Sequence, residues 1–118
     1  MNPQIYHNPR CSKSRATLAL LQEAGIEPEI IDYLNTELRK EVLLDTIVAT
    51  GLCVRDVLRS GEEAYKRLGL ADKTIGDDAL LDAIIANPIL LNRPIVVTEK
   101  GARLCRPPEL VLEILPTA

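Results

Sequence analysis

The residues best suited to chemistry are three cysteines, Cys11, Cys53 and Cys105, and a single histidine, His7. An odd number of cysteines at wide spacing is not typical of a disulfide framework. Cys11 follows a strand-like segment and directly precedes a predicted helix, whose N-terminal N–H groups and dipole favour a thiolate. The same N–H groups can hold an oxyanion. Cys11 is therefore the predicted nucleophile of an anion-binding site.

The neighbours of Cys11 are polar and basic, with Arg10 and Arg15 flanking it. Ser14 stands where a C-x-x-C redox motif would carry its second cysteine, so an external thiol would have to resolve any adduct on Cys11. His7 lies four residues upstream and could either help ionise the thiol or hold the loop by a hydrogen bond. The alternative for Cys11 is a small buried hydrophobe, which its polar neighbours disfavour.

The other two cysteines are predicted to be buried. Cys53 lies in the apolar run Leu52-Cys53-Val54, which is typical of core packing. Cys105 ends a predicted strand, where burial is favoured and a thiol facing the site stays open. One histidine and three scattered cysteines lack the ligand spacing of a zinc site, so no metal is expected.

Three arginines are candidates for oxyanion binding, because each lies at the boundary of a predicted element beside proline or glycine. They are Arg59, Arg93 and Arg106. The guanidinium group offers a planar fork of donors that suits tetrahedral oxyanions and keeps its charge. The alternative is a solvated surface charge, which is the interpretation for four further arginines: Arg39, Arg55, Arg67 and Arg103.

The composition narrows the class of protein. The chain has 118 residues, of which 47% are hydrophobic and 26% charged, with a net charge of -3. These values are typical of one globular domain and argue against nucleic acid or a membrane as partner. Aromatic residues make up only 3%, too few for a base-stacking platform. With no apolar span and no secretory signal, the predicted location is the cytoplasm.

The predicted elements place these residues at the ends of strands. Residues 1–34 read as a strand (4–7), a helix (12–24) and a strand (29–34). Helices are predicted from a Thr36 cap through residue 50, then over residues 54–58, 62–68 and, after an Asp77 cap, 78–86. Strands over 94–98 and 102–105 and a helix over 109–115 follow.

This order predicts a mixed four-strand sheet, βαβ then ββα, which resembles the thioredoxin fold with a helical insertion. We expect one domain over residues 1–118, with a core of residues 1–34 and 88–118. The insertion would span residues 35–87.

Residues 5–15 resemble the active-site loop of the glutaredoxin-coupled arsenate reductases. Three further stretches match the same family in order: residues 54–59, 91–98 and 104–109. The resemblance implies that Cys11 attacks arsenate and that Pro94 is a cis proline, with His7 as the family histidine near the nucleophile. It implies oxyanion binding by Arg59, Arg93 and Arg106. Glutathione would be a co-substrate and glutaredoxin a partner, with no bound cofactor.

Two departures place the chain closer to the chromosomal homologues of that family. Arg10, Ser12 and Lys13 surround Cys11, whereas plasmid-type members resemble N-P-A-C-G-T-S there. The chain also stops soon after the last helix, without the C-terminal extension that those members carry.

Two other functions stay open. A glutathione-dependent thiol/disulfide oxidoreductase would need Cys11 but not all three arginines. A non-enzymatic regulator resembling the Spx type, which binds RNA polymerase, would tolerate the loss of Cys11 and of the three arginines. Ser14 disfavours the regulator, because Spx-type proteins often carry C-x-x-C.

Overall fold

The structure is a computed structural model that describes residues 2–116. Its contacts divide the chain into two compact units, which we call the sheet unit (residues 2–36 and 93–116) and the helical unit (residues 37–92). In the described chain, no helix combines the length and the apolar character needed to cross a membrane.

The sheet unit contains one mixed four-strand sheet, as predicted, and the order of its strands is β2-β1-β3-β4. β1 pairs with β2 in parallel and with β3 in antiparallel fashion, and β3 and β4 form an antiparallel hairpin. The strands are β1 (Gln4–Tyr6), β2 (Glu29–Ile31), β3 (Ile95–Thr98) and β4 (Gly101–Leu104). Each strand is shorter than or shifted from its predicted range, and β4 begins at Gly101, which the sequence pattern assigns to the turn.

The helix α1 (Ser12–Glu23) connects the two parallel strands. It ends beside Gly25, whose φ of 80° is a left-handed value that glycine adopts readily. The N–H of Ile26 then bonds back to the Leu21 carbonyl at 2.9 Å. Leu21 is fully buried in a cluster with five other residues of this unit: Ile5, Val96, Cys105, Val111 and Ile114. This packing holds the C-terminal half of α1 against the sheet.

The last segment of the sheet unit is a 3₁₀ helix over Pro108–Ile114, not the predicted α-helix. Its first bond runs from the Leu110 N–H to the Pro107 carbonyl at 3.1 Å, three residues back. In a 3₁₀ helix the side chains at i and i+3 lie on the same side. Val111 and Ile114 are three residues apart and both are buried, so the tighter helix turns both into the core.

The helical unit contains α2 (Lys40–Ala49), α3 (Glu63–Arg67) and α4 (Asp77–Ala86), with 3₁₀ turns over Val54–Val57 and Pro88–Leu90. The prediction that Thr36 caps α2 is wrong, because α2 begins four residues later. The Lys40 ammonium there meets carboxylates of α4, Asp78 at 2.6 Å and Asp82 at 3.0 Å. Gly76, not Asp77, is the N-cap of α4.

The prediction for Cys53 is wrong, and that for Cys105 is confirmed. Cys53 is exposed and Cys105 is fully buried. Cys53 is the N-cap of the turn Val54–Val57, and its Sγ donates to Asp56 Oδ2 at 2.8 Å. That hydrogen bond, more than burial, raises the pKa of Cys53. For Cys105, burial raises the pKa to about 12, so its thiol stays protonated.

Candidate active site

Cys11 is the N-cap residue of α1, with extended backbone angles of φ -93° and ψ 122°. Its N–H donates to the Asn8 carbonyl at 3.0 Å, and its carbonyl accepts the Arg15 N–H at 3.0 Å. The Asn8 side chain closes the turn, because its Oδ1 accepts the Arg10 N–H at 2.9 Å. The loop therefore holds a partly exposed thiol at the first turn of a twelve-residue helix.

The electrostatics of this position favour the thiolate. Partial burial raises the pKa of Cys11, but the main-chain N–H groups of Ser14 and Lys13 lower it. The Arg93 side chain lowers it further, through a hydrogen bond and its charge. The net effect is a pKa below the ordinary value for cysteine. Since the thiolate is the nucleophilic form, Cys11 is the activated thiol of this chain.

Arg93 is buried, with 9% of its surface exposed, and it precedes the cis proline Pro94. Two hydrogen bonds fix the main chain at this point. Arg106 Nη1 donates to the Arg93 carbonyl at 2.9 Å, and the Cys105 N–H donates to the Pro94 carbonyl at 2.9 Å. The bonds join the segment before β3 to the segment after β4. Arg93 and Arg106, predicted from separate motifs, are therefore joined by a hydrogen bond, and of the two the Arg93 side chain acts on Cys11.

His7 and Ser14 are both buried and share a hydrogen bond, with 2.8 Å between His7 Nδ1 and Ser14 Oγ. Ser14 Oγ also accepts the Asn8 N–H at 3.0 Å. Burial lowers the pKa of His7, Asp32 raises it and Arg15 lowers it, so the imidazole is neutral near pH 7. A neutral His7 bonded to Ser14 holds the loop, which is one of the two roles that the sequence left open.

Arg15, the remaining residue predicted to support the site, is exposed. Its Nη1 donates to the Pro9 carbonyl at 2.9 Å. The guanidinium thus reaches back across the loop and ties the first turn of α1 to the segment before Cys11.

Arg59 belongs to the helical unit, where its surroundings differ from those of Arg93 and Arg106. Its N–H donates to the Leu90 carbonyl at 2.8 Å. Its Nε pairs with Glu62 Oε1 at 3.1 Å, and its Nη1 donates to Asn92 Oδ1 at 3.3 Å. The guanidinium is therefore held by an acid and an amide of its own unit. Its role in oxyanion binding stays a prediction.

Asn8 is a further residue of the site that was not among the predicted site residues, although the Asn8-Pro9 pair is a turn signal by residue type. Asn8 is buried at 4% exposure and bonds to three partners around the loop: Arg10, Cys11 and Ser14. An asparagine side chain that bonds the main chain two residues on is a known turn former, so this signal was present in the sequence. Within residues 2–116, no group of three acidic, histidine or cysteine side chains is arranged to hold a metal ion.

A mixed sheet of this order, with an activated cysteine at the start of the first helix and a cis proline before β3, defines a thioredoxin-like protein with a single-thiol site. The chain belongs to the ArsC family, whose model matches residues 6–114. A structure titled arsenate reductase from Vibrio cholerae superposes with a TM-score of 0.93, at 52% identity over 98% of both chains.

Curated relatives agree with this assignment. The protein named arsenate reductase in Escherichia coli K12 is 51% identical over 117 residues, which is 99% of this chain and 83% of the relative. The protein named YfgD in the same organism is 50% identical over 113 residues, which is 95% of each chain.

Proposed function

We propose that this protein reduces arsenate to arsenite, with Cys11 as the nucleophile, glutathione as co-substrate and glutaredoxin as partner. The observation that carries the proposal is the position of Cys11, an activated thiol beside buried Arg93 at the start of α1. Relatives that bear the name arsenate reductase support the choice of substrate. The scheme needs a reducing compartment, so we place the protein in the cytoplasm.

The first step is attack of the Cys11 thiolate on the arsenic atom. An S–As bond forms, one As–O bond breaks, and the departing oxygen leaves as water after taking up protons. Arsenic remains As(V) in the adduct. The N–H groups of Lys13 and Ser14 and the Arg93 guanidinium, which already favour negative charge on sulfur, would offset charge on the oxygens. Arg106 and Arg59 are the further donors in this scheme.

The second step transfers the electrons. The glutathione thiolate attacks the Cys11 sulfur, and the S–As bond breaks with its electron pair passing to arsenic, which leaves as arsenite, As(III). Cys11 is left in a mixed disulfide with glutathione. The glutaredoxin thiolate then attacks the glutathione sulfur and releases Cys11 as the thiolate. The sum is one arsenate and two thiols converted to one arsenite, one disulfide and one water. No bound cofactor takes part in this scheme.

The test is arsenite production from arsenate, with glutathione and glutaredoxin, by wild type, Cys11→Ser and Arg93→Ala. We expect turnover by wild type, none by Cys11→Ser, and a loss of about 100-fold or more for Arg93→Ala, as for other preorganised oxyanion donors. Arg103→Ala is the matched control, since Arg103 lies in β4 and pairs with Glu113 of the 3₁₀ helix Pro108–Ile114 at 3.1 Å. Wild-type turnover no higher than that of Cys11→Ser would refute the proposal.

The same variants, assayed in addition for reduction of a small disulfide, distinguish the arsenate reductase from the alternative thiol/disulfide oxidoreductase. That enzyme would reduce small disulfides through Cys11 and would not need an oxyanion donor. Full disulfide reductase activity in Arg93→Ala, measured above the pKa of Cys11 so that the thiolate fraction is equal, together with no arsenite production in wild type, would favour it.

A further inference from the structure

We propose that Arg10 and Lys13, which we call the cationic rim, bind the carboxylates of the anionic thiol that attacks at Cys11. The occupant is a small peptide thiol of the chemical class of glutathione. The inference rests on the proposed function, because it concerns the thiol donor of that reaction.

The distribution of charge along the chain first indicates this surface. The protein carries 17 acidic and 14 basic residues, yet residues 1–22 include no aspartate or glutamate. The first turn of α1 accordingly has no acidic residue. Within residues 2–116, neither Arg10 nor Lys13 takes part in an ion pair. In the part of the chain that the structure describes, the two cations that flank the thiol in sequence are therefore not paired with a carboxylate.

The two rim residues differ from the other cations of the site in what their side chains do. Arg93 is buried, and Arg15 donates a hydrogen bond from Nη1 to the Pro9 carbonyl. Arg10 and Lys13 are exposed, immediately before Cys11 and two residues after it.

Their main chain, in contrast, is anchored. The Arg10 N–H bonds to the Asn8 side chain at 2.9 Å, and the Lys13 carbonyl accepts the Thr17 hydroxyl at 2.8 Å. Two solvated cations therefore stand on a fixed loop beside the nucleophile.

The chemistry favours the thiol donor over arsenate as the ligand of the rim. The Ser14 and Lys13 N–H groups and buried Arg93 already face the Cys11 sulfur and suit the compact oxyanion. The thiol donor must instead reach that sulfur from solvent while its remaining atoms stay outside. Glutathione carries two carboxylates and one ammonium group at neutral pH. Exposed pairs of opposite charge are weak, so each rim residue should contribute a factor of about two to five.

The first experiment avoids arsenate altogether. In a Cys53→Ser background, which removes the exposed second thiol, Cys11 is reacted with a dithiobis-nitrobenzoate probe, which is anionic, and with neutral dithiodipyridine. We expect the ratio of the two rates to fall about two- to five-fold in Arg10→Ala and in Lys13→Ala, and further in the double variant. High salt should reduce the difference. Because both probes need the thiolate, the ratio cancels any change in its population.

Lys100→Ala is the matched control for this ratio. Lys100 is an exposed cation in the turn between β3 and β4. The pairing of Tyr6 with Ile95 and of Gln4 with Val97 puts that turn at the opposite end of the sheet from the Cys11 loop. The ratio in Lys100→Ala should equal that of wild type. An unchanged ratio in the double Arg10→Ala, Lys13→Ala variant would overturn the rim.

The second experiment measures KM values in the arsenite assay. We expect the KM for glutathione to rise about two- to five-fold in each single variant, while the KM for arsenate stays within twofold. A rise in the KM for arsenate alone would mean that the rim binds the oxyanion. A loss of turnover that appears only when glutaredoxin is present would mean that the rim binds the surface of glutaredoxin. Either result overturns the inference. If wild type makes no arsenite but the probe ratio still falls in the Arg10→Ala and Lys13→Ala variants, the proposed function is refuted while the cationic rim is supported as a binding site for anionic thiols and disulfides.

Discussion

Arg106 donates a hydrogen bond from Nη1 to the main-chain carbonyl of Arg93 across 2.9 Å. The Arg93 side chain in turn acts on the thiol of Cys11. The two arginines are therefore not equivalent: Arg93 touches the nucleophile, and Arg106 holds the main chain from which Arg93 reaches it. The arrangement predicts a graded response of Cys11 to the loss of each arginine.

The first prediction concerns the pKa of Cys11. Burial raises this pKa, and the Ser14 and Lys13 N–H groups followed by Arg93 outweigh it. Arg93→Ala should therefore raise the pKa of Cys11, and Arg106→Ala should raise it by a smaller amount. The rate of alkylation by iodoacetamide as a function of pH measures it, in a Cys53→Ser background. Arg103→Ala serves as control, and an Arg93→Ala midpoint equal to that of wild type would contradict the assignment.

The second prediction concerns the hydrogen bonds of Ser14. Ser14→Ala leaves the Asn8 N–H and His7 Nδ1 buried without their shared partner. An unsatisfied buried group costs about 1–3 kcal/mol, so the free energy of unfolding should fall by that amount. Urea denaturation gives the value. Ser12→Ala, at an exposed position of the same turn, should change it by less than about 0.5 kcal/mol. Equal effects in the two variants would show that the Ser14 network does not stabilise the fold.

The third prediction is a dependence of stability on pH that originates in His7. Burial lowers the pKa of His7 in the folded protein below its ordinary value of 6.5. The unfolded chain therefore binds this proton at a higher pH than the folded chain. Stability from neutral His7 is complete above about pH 6.5 and is lost as pH falls from there through the folded pKa.

Comparison with His7→Asn isolates this effect from the titration of the carboxylates. The asparagine amide can bond to Ser14 Oγ but does not titrate. The free energy of unfolding of wild type relative to that of His7→Asn should therefore decrease as the pH is lowered from about 7 to about 5. A difference that is constant over this range would mean that His7 does not titrate between the folded and unfolded states.

The outline of the fold could be predicted because its signals are local. The helix stop at Gly25 and the β-branched run of β3 lie in consecutive residues, and both appear in the structure. The start of α2 could not be predicted in this way. Thr36 is a good cap by residue type, but the first residue of α2 is Lys40, which pairs with carboxylates of α4. Such a tertiary contact leaves no trace in the local pattern.

The candidate site shows the same division. Cys11 could be found from its place before a helix, because the chemistry of that position is general. The prediction for Cys53 is wrong because apolar neighbours do not determine burial: Val54 is buried, whereas Leu52 and Cys53 are exposed. The interpretation of Arg55 as a solvated surface charge is also wrong, because its hydrogen-bond partners lie 15 to 20 residues further along the chain, where a local pattern does not show them.

The fourth prediction concerns Arg55. Its guanidinium donates to three main-chain carbonyls, those of Leu70 at 2.7 Å, Asp72 at 3.0 Å and Ile75 at 3.4 Å. These bonds fasten the segment between α3 and α4 to the turn Val54–Val57. Arg55→Ala should lower the free energy of unfolding by about 1.5–3 kcal/mol, the usual range for hydrogen bonds to a charged group.

Urea denaturation tests this value, and the exposed Lys73 provides the control. Lys73→Ala lies in the same segment and should be neutral within about 0.5 kcal/mol. Equal free energies of unfolding for Arg55→Ala and Lys73→Ala would mean that the three hydrogen bonds of Arg55 do not stabilise the fold.

The last prediction separates Cys105 from the chemistry. Cys105 is fully buried, and its pKa of about 12 leaves no thiolate near neutral pH. Its role is to pack against the apolar cluster that includes Ile5 and Leu21. Cys105→Ser should therefore keep arsenate turnover within about twofold of wild type while losing about 1–3 kcal/mol of stability, because it buries a hydroxyl in that cluster. Cys105→Ala also removes the thiol but keeps the position apolar, so it distinguishes the loss of the thiol from a folding defect caused by the buried hydroxyl. Complete loss of turnover in both folded variants would identify Cys105 as an internal resolving thiol, and glutathione would then not be the group that attacks Cys11.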